Sequence, residues 1–256
     1  MRTLLCHEGW GAIEDRAQLA AQLIELALSY CPTLTVARIA IAGKNKEISR
    51  PVSEIAAAVA ALDASWSVTI FDPAGRLKNA PFLISDTYFV LTMFRDLRAL
   101  YFFGDNLDYL LATKFDPQLI KDLVKISGPG LGYCESFAGP IEAAEYSQEL
   151  RIASSKSELR GLLQAPSGLS WQSYLPGSSL CVARNLFPVN IWPKQLFDRI
   201  RRDTSVFDLM ISRGVEITEL SDEAVLAQIP QASVGILKTH MRQYLFEQRS
   251  PEVLRA

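Results

Sequence analysis

Hydrophobic and polar positions along the chain repeat with two periods, near 3.6 and near 2, and each switch between them marks the border of a short helix or strand. Across residues 14–30, Leu19, Leu23, Leu26 and Tyr30 recur at helical spacing, one stripe of an amphipathic helix that Cys31-Pro32 closes. Residues 33–41 are rich in β-branched side chains and predict a strand, followed by the charged turn Gly43-Lys44-Asn45-Lys46-Glu47. Pro51 then stands where a second helix would open, with Val52, Ile55, Val59 and Leu62 on one side and alanines that permit close packing. Residues 66–71 alternate Trp66, Val68 and Ile70 against Ser67, Thr69 and Phe71 before the turn Asp72-Pro73-Ala74-Gly75, which predicts a second strand.

Residues 82–111 are the most aromatic stretch, and their apolar positions are too dense for periodicity alone to separate buried strands from a buried helix. Strands are expected around 88–94 and 100–103. Asp116-Pro117 reads as a helix start, with Leu119, Ile120, Leu123 and Val124 as the buried face. Ser127-Gly128-Pro129-Gly130-Leu131-Gly132 ends that helix in a loop, a candidate hinge. Further on, helices are expected at 141–150 and 155–163, and a strand at 180–183. Pro193 opens a helix carrying Leu196, Phe197 and Ile200, and another helix over 206–212 ends at Gly214. A strand at 215–218 leads to Ser221, which reads as an N-cap with Asp222 and Glu223 in the first turn. Val234, Leu237, Met241 and Tyr244 define a last helix. This mixture lacks regular βαβ spacing, so the expected class is α+β, with a mixed or mostly antiparallel sheet and flanking helices, ahead of a parallel α/β sheet. One domain spanning 1–256 is expected, with a candidate sub-division at 127–132.

Composition changes the picture mainly by exclusion. The 256 residues are 49% hydrophobic and 21% charged, ordinary for a globular chain, and the formal charge of -2 lacks the basic excess expected of a protein that binds by neutralising phosphates. Direct nucleic-acid binding is therefore not expected. The first ten residues reach Glu8 before any apolar run long enough for an export signal, so a cytoplasmic location is expected. Residues 161–183 carry no charge, yet their Ser, Gln, Pro and Gly content argues for a polar loop rather than a membrane span. Cys6, Cys31, Cys134 and Cys181 are widely spaced, with no C-x-x-C pair and no histidine at ligand spacing, and read as reduced thiols used as small apolar residues; no metal site and no cofactor is expected.

Catalytic signatures are scarce. His7 and His240 fit no zinc motif, and His240, between Lys238 and Arg242, reads as a solvated helix position. Cys6, His7 and Glu8 could be drawn as thiol, base and orienting carboxylate, although adjacent residues seldom converge. The G-x-G-x-G of Gly128, Gly130 and Gly132 misses both the dinucleotide and the P-loop spacing. No catalytic residue is assigned.

Charge distribution says more. Between Ile126 and Leu150 no Lys or Arg opposes Glu135, Glu142, Glu145 and Glu149, and between Gly214 and Leu237 none opposes Glu216, Glu219, Asp222 and Glu223. On a helix, Glu142, Glu145 and Glu149 share one face. A solvated helix face accounts for any one of these glutamates; together they describe an acidic surface suited to a basic partner. Lys194, Arg199, Arg201 and Arg202 reverse the balance at one helix without interleaved aromatics, a poor nucleic-acid platform. Trp171 and Tyr174, in the polar stretch, are candidate interface anchors, with Trp192 close behind.

Gly132-Tyr133-Cys134-Glu135, the stretch from Trp171 to Tyr174, and Asn185-Leu186-Phe187-Pro188-Val189-Asn190-Ile191-Trp192-Pro193 resemble the immunity protein 52 family of bacterial polymorphic-toxin and type VI secretion systems. The resemblance spans residues 132–202 and consists of aromatic and proline patterns. It implies an α+β fold and a cytoplasmic protein without a reaction of its own, which binds and neutralises a cognate toxin, often one ending in a restriction-endonuclease-like nuclease domain. It carries over no interface residue. The expected partner-binding residues are Glu135, Glu142, Glu145, Glu149, Trp171 and Tyr174, and the expected partner is a toxin or effector protein, with no direct nucleic acid and no membrane. The alternatives are an enzyme, a hydrolase or transferase whose groups meet only in the fold, and a secretion-system adaptor.

Overall fold

The structure, a computed structural model, describes residues 2–10, 15–41, 47–62, 66–74, 86–93, 97–104, 118–128, 130–140, 143 and 182–245. The fold is α+β. The chain divides into two compact units, one formed by Met1–Pro129 and Cys134–Ala144, the other by Gly130–Tyr133 and Glu145–Ala256.

The first unit carries six strands in the order β3-β2-β4-β5-β6-β1: β1 (Arg2–Trp10), β2 (Val36–Ile41), β3 (Glu47–Pro51), β4 (Trp66–Phe71), β5 (Tyr88–Met93) and β6 (Leu97–Gly104). Neighbours in this order pair antiparallel throughout. Because opposed residues of an antiparallel ladder share a face, the registers generate continuous cross-strand rows. One runs Ala37, Ile70, Phe89, Phe102, Leu5, and the next Ile39, Val68, Leu91, Leu100, His7. Every member of both rows is buried, so the strand pattern read from residues 66–71 extends across the sheet. Phe89 and Phe102 meet edge to face at 6.0 Å, while Tyr88 and Phe103, on the opposite face, stack at 5.3 Å.

Three helices accompany this sheet, α1 (Arg16–Tyr30), α2 (Ile55–Ala60) and α3 (Gln118–Ser127), with α1 packed against α2 and α3. Asp15 caps α1 by accepting from the Gln18 amide at 2.9 Å. The buried stripe of α1 is Ala20, Leu23, Ile24 and Ala27, while Leu19, Leu26 and Tyr30 are half-buried. The predicted stripe is therefore rotated about its shared member, Leu23, because small alanines let the helix approach its neighbours closely. Leu119, Ile120, Leu123 and Val124 bury on α3 as expected.

Strand β7 (Gly130–Phe137) contributes Gly130–Tyr133 to the second unit and Cys134–Phe137 to the first. The second unit adds β8 (Val189–Pro193), β9 (Glu216–Ser221) and β10 (Ala224–Gln228), with β10 between antiparallel β8 and β9, and three helices, α4 (Lys194–Arg202), α5 (Thr204–Ser212) and α6 (Gln231–His240). β8 is buried at all five positions, and α4 turns Leu196, Phe197 and Ile200 inward. Asn190 is buried in β8, where its amide replaces missing backbone partners: its Oδ1 accepts from the Phe187 amide at 3.0 Å and its Nδ2 donates to the Phe187 carbonyl at 2.6 Å. α5 ends in a full Schellman motif: Val215 N–H reaches the Met210 carbonyl at 3.1 Å, Gly214 N–H reaches Ile211 at 3.0 Å, and Gly214 takes φ 76°.

Several expectations are corrected. Residues 2–10 carried no predicted element and form strand β1, buried at positions 3–8. Gly130 to Gly132 lie in β7 rather than in a loop; among the described residues of the run, Gly128 takes a positive φ, 76°. Pro51 ends β3, a strand the charged turn had concealed, and the helix begins only at Ile55 after a short 3-10 turn. Ser221 to Glu223 form the β9–β10 turn, not a helix start, because the apolar run Ala224 to Ala227 that follows is buried as a strand. Trp192 sits in β8, 1% exposed, a core residue and not an interface anchor. Val182 and Ala183 are buried, and Ala183 forms an isolated parallel bridge to Leu245. The helices expected at 141–150 and 155–163 lie, apart from Ala143, outside the described residues.

Candidate functional site

β1 brings the chain's most suggestive polar residues into the core. Successive side chains on a strand point to opposite faces, so Cys6 and Glu8 share one face while His7 takes the other. The drawn thiol, base and carboxylate therefore do not converge. On the first face, Tyr101 stands directly opposite Cys6 in the register, and its hydroxyl donates to Glu8 Oε1 at 3.0 Å. On the second, His7 ends the apolar row and meets Ser127, the last residue of α3, with Nδ1 3.1 Å from Oγ. The Ser127 hydroxyl also donates to the Leu123 carbonyl at 2.8 Å. With its single proton committed there, Ser127 accepts from His7, which places a proton on Nδ1. A nucleophilic pair needs the reverse, an imidazole nitrogen that accepts the serine proton. Cys6, His7 and Glu8 are each at most 3% exposed.

The thiols follow the same pattern. Cys6, Cys31 and Cys134 are unbridged and buried, and burial together with the neighbouring Glu135 carboxylate pushes the Cys134 thiol far up, keeping it protonated. Cys181 lies outside the described residues. Among the described residues no group of three or more His, Cys, Asp or Glu could hold a metal ion. Among the same residues, no helix is long and apolar enough to cross a membrane.

Of the residues expected to bind a partner, Glu135 is described. It sits half-buried on β7, and its Oε1 accepts from the Ser136 amide at 2.9 Å. Glu142, Glu145, Glu149, Trp171 and Tyr174 lie outside the described residues. The second acidic stretch is described in full. Glu216 and Glu219 on β9, with Asp222 and Glu223 in the turn, are all exposed. Lys194 donates to Glu219 Oε1 at 2.9 Å, and that bond, reinforced by its charge, holds the Glu219 carboxyl below its ordinary value. The charge signal that marked this stretch in the sequence was right about exposure, although the helix start expected at Ser221 is a turn.

The basic helix is partly committed inside its own unit: Lys194 to Glu219, and Arg199 with its guanidinium 5.8 Å above the Tyr244 ring. Arg201 and Arg202 are exposed. His240 is exposed on α6, as expected, with Nδ1 3.0 Å from the Ile236 carbonyl. Tyr101 and Ser127 were not singled out in the sequence, because their roles depend on register and on a helix end brought beside a strand from far along the chain.

Comparison with known proteins gives a likeness in fold. No protein-family model and no curated protein matches the chain. Among solved structures, the chain is similar to the Pseudomonas aeruginosa T6SS protein PA0821, with TM-score 0.57 and 13% identity over 95% of this chain and 73% of that one. At that identity the likeness shows a shared α+β fold.

Proposed function

We propose that this chain is an immunity protein that binds a cognate toxin effector, a nuclease, in the cytoplasm and neutralises it by protein–protein association, without catalysing a reaction. The observation that carries the reading is the likeness in fold, along 95% of the chain, to a protein of a type VI secretion system. The resemblance of residues 132–202 to the immunity protein 52 family points the same way. The chemistry of β1 is in keeping with it, since Cys6, His7 and Glu8 serve core packing and buried hydrogen bonds.

The partner surface in this reading is acidic. A nuclease domain presents basic side chains to its substrate, and carboxylates that meet them speed encounter and fix orientation. The residues proposed to meet the partner are Glu135, Glu142, Glu145 and Glu149, with Trp171 and Tyr174 as anchors; Glu216, Glu219, Asp222 and Glu223 are a second acidic group. The test is co-expression with the product of the adjacent gene, co-purification, and a DNA-cleavage assay on the complex. A stable complex without cleavage supports neutralisation. A complex that still cleaves DNA makes the chain an adaptor, and absence of association removes the reading.

A further inference from the structure

Asp203 precedes α5 and uses its two carboxylate oxygens for different tasks. Oδ1 accepts from Ser205 Oγ at 2.8 Å and from the Val206 amide at 3.3 Å, the pattern of a helix N-cap. Oδ2 accepts from Gln243 Nε2 at 2.8 Å and from the Tyr244 hydroxyl at 3.1 Å, partners 40 and 41 residues away. Capping requires one oxygen; the second holds the 3-10 turn Arg242–Tyr244. That turn holds another piece of chain in its own right. The Tyr244 carbonyl accepts from the Ala183 amide at 2.9 Å, and Leu245 forms the parallel bridge with Ala183. Met241, Tyr244, Leu245, Val182 and Ala183 are all buried.

We propose that the Asp203–Tyr244 contact is a latch, through which residues 182–183 and 241–245 open and close as one unit while α5 stays folded. Among the contacts that tie the turn to the body of its unit are buried apolar side chains, the Arg199 guanidinium over the Tyr244 ring and Asp203 Oδ2. Once Oδ2 lets go, the turn is held more weakly, by its buried apolar side chains and by the Arg199 guanidinium over the Tyr244 ring, and the Ala183 amide loses protection whenever the turn lifts. Local opening of this kind has a free energy of its own, separate from global unfolding. The latch is independent of what the protein binds.

The test is hydrogen exchange on the full chain carrying Gln243→Ala and Tyr244→Phe together. These changes remove both donors to Oδ2, keep the aromatic ring, and leave Asp203 free to cap α5. A latch predicts exchange at the Ala183 amide faster by about tenfold or more, with the Val206 and Phe207 amides of α5 unchanged. Asp203→Ala should accelerate both sets. Should the double variant fail to fold, Tyr244→Phe alone carries the test, with a several-fold acceleration confined to Ala183. An unchanged Ala183 amide, or equal acceleration across α5, overturns the latch.

Discussion

His7 Nδ1 and Ser127 Oγ lie 3.1 Å apart, joining the end of an apolar cross-strand row to the last turn of α3, and the serine proton is already given to Leu123. The relationship is therefore one in which the imidazole donates. Ser127→Ala removes the acceptor and leaves a buried N–H one partner short, so it should destabilise the protein by about 1–3 kcal/mol, read from the urea midpoint. Nitrogen NMR of the wild type should show His7 Nδ1 protonated at neutral pH. A bare Nδ1 would reverse the polarity assigned to the pair.

Across the sheet face from His7, Tyr101→Phe removes the donor to Glu8 while keeping the ring. The loss should be about 1–3 kcal/mol, because the carboxyl is nearly fully buried and water has poor access to replace the bond. A stability equal to wild type would show that Glu8 does not depend on this contact.

Much of the fold was legible where one period ran alone. Residues 66–70 alternate because Trp66, Val68 and Ile70 are buried while Ser67 and Thr69 are half-buried, with Phe71 buried as well, and α3 shows its stripe because a single face packs. Illegible were elements buried on both sides or written in unusual residues. β1 carries Cys6, His7 and Glu8 among its buried positions, so composition concealed a strand in the first ten residues. β7 opens with glycines that punctuate a chain in most settings but here extend into a strand. In α1 the stripe was misplaced because alanines weigh little on a hydropathy count yet pack closest. That rotation is testable: Leu23→Ala should cost about 2–5 kcal/mol, and Leu26→Ala about 1 kcal/mol. Equal losses would restore the predicted stripe of Leu19, Leu23, Leu26 and Tyr30. As for the site, the stretch 214–237 without Lys or Arg marked exposed carboxylates, whereas Glu135 of the first stretch is half-buried, and contacts such as Tyr101 with Glu8 depend on register and left no local trace.

The acid limb of stability should report Asp203 and Glu219. Both carboxyls are held below their ordinary values of 3.8 and 4.5, Asp203 chiefly by the Ser205 hydroxyl and Glu219 chiefly by Lys194. A lowered folded pKa stabilises above the ordinary value, and that contribution is lost as pH falls through the lowered one. Stability should therefore drop below about pH 4.5 for Glu219 and below about pH 3.8 for Asp203. Asp203→Asn, which keeps the cap, should flatten the lower part of the curve. The Glu219 share should shrink in high salt, since that pair is exposed. A curve unchanged by Asp203→Asn would contradict the assignment.

Binding kinetics should separate the two acidic surfaces. Charge reversal of Glu142, Glu145 and Glu149 together, and separately of Glu216, Glu219, Asp222 and Glu223, should each be measured against the partner by stopped flow over a range of salt. The surface that meets the partner should lose association rate, roughly tenfold or more at low salt, and lose its salt dependence. Unchanged kinetics in either set removes that surface from the interface.

The central claim is association with neutralisation, and its most direct measurement is the activity of a complex. The chain and the product of its adjacent gene should be co-expressed, purified together and assayed for DNA cleavage, with the partner alone as reference. The account predicts a stable complex that has lost the cleavage the partner shows by itself. A partner that does not bind, or that cuts DNA equally well in the complex, would contradict it.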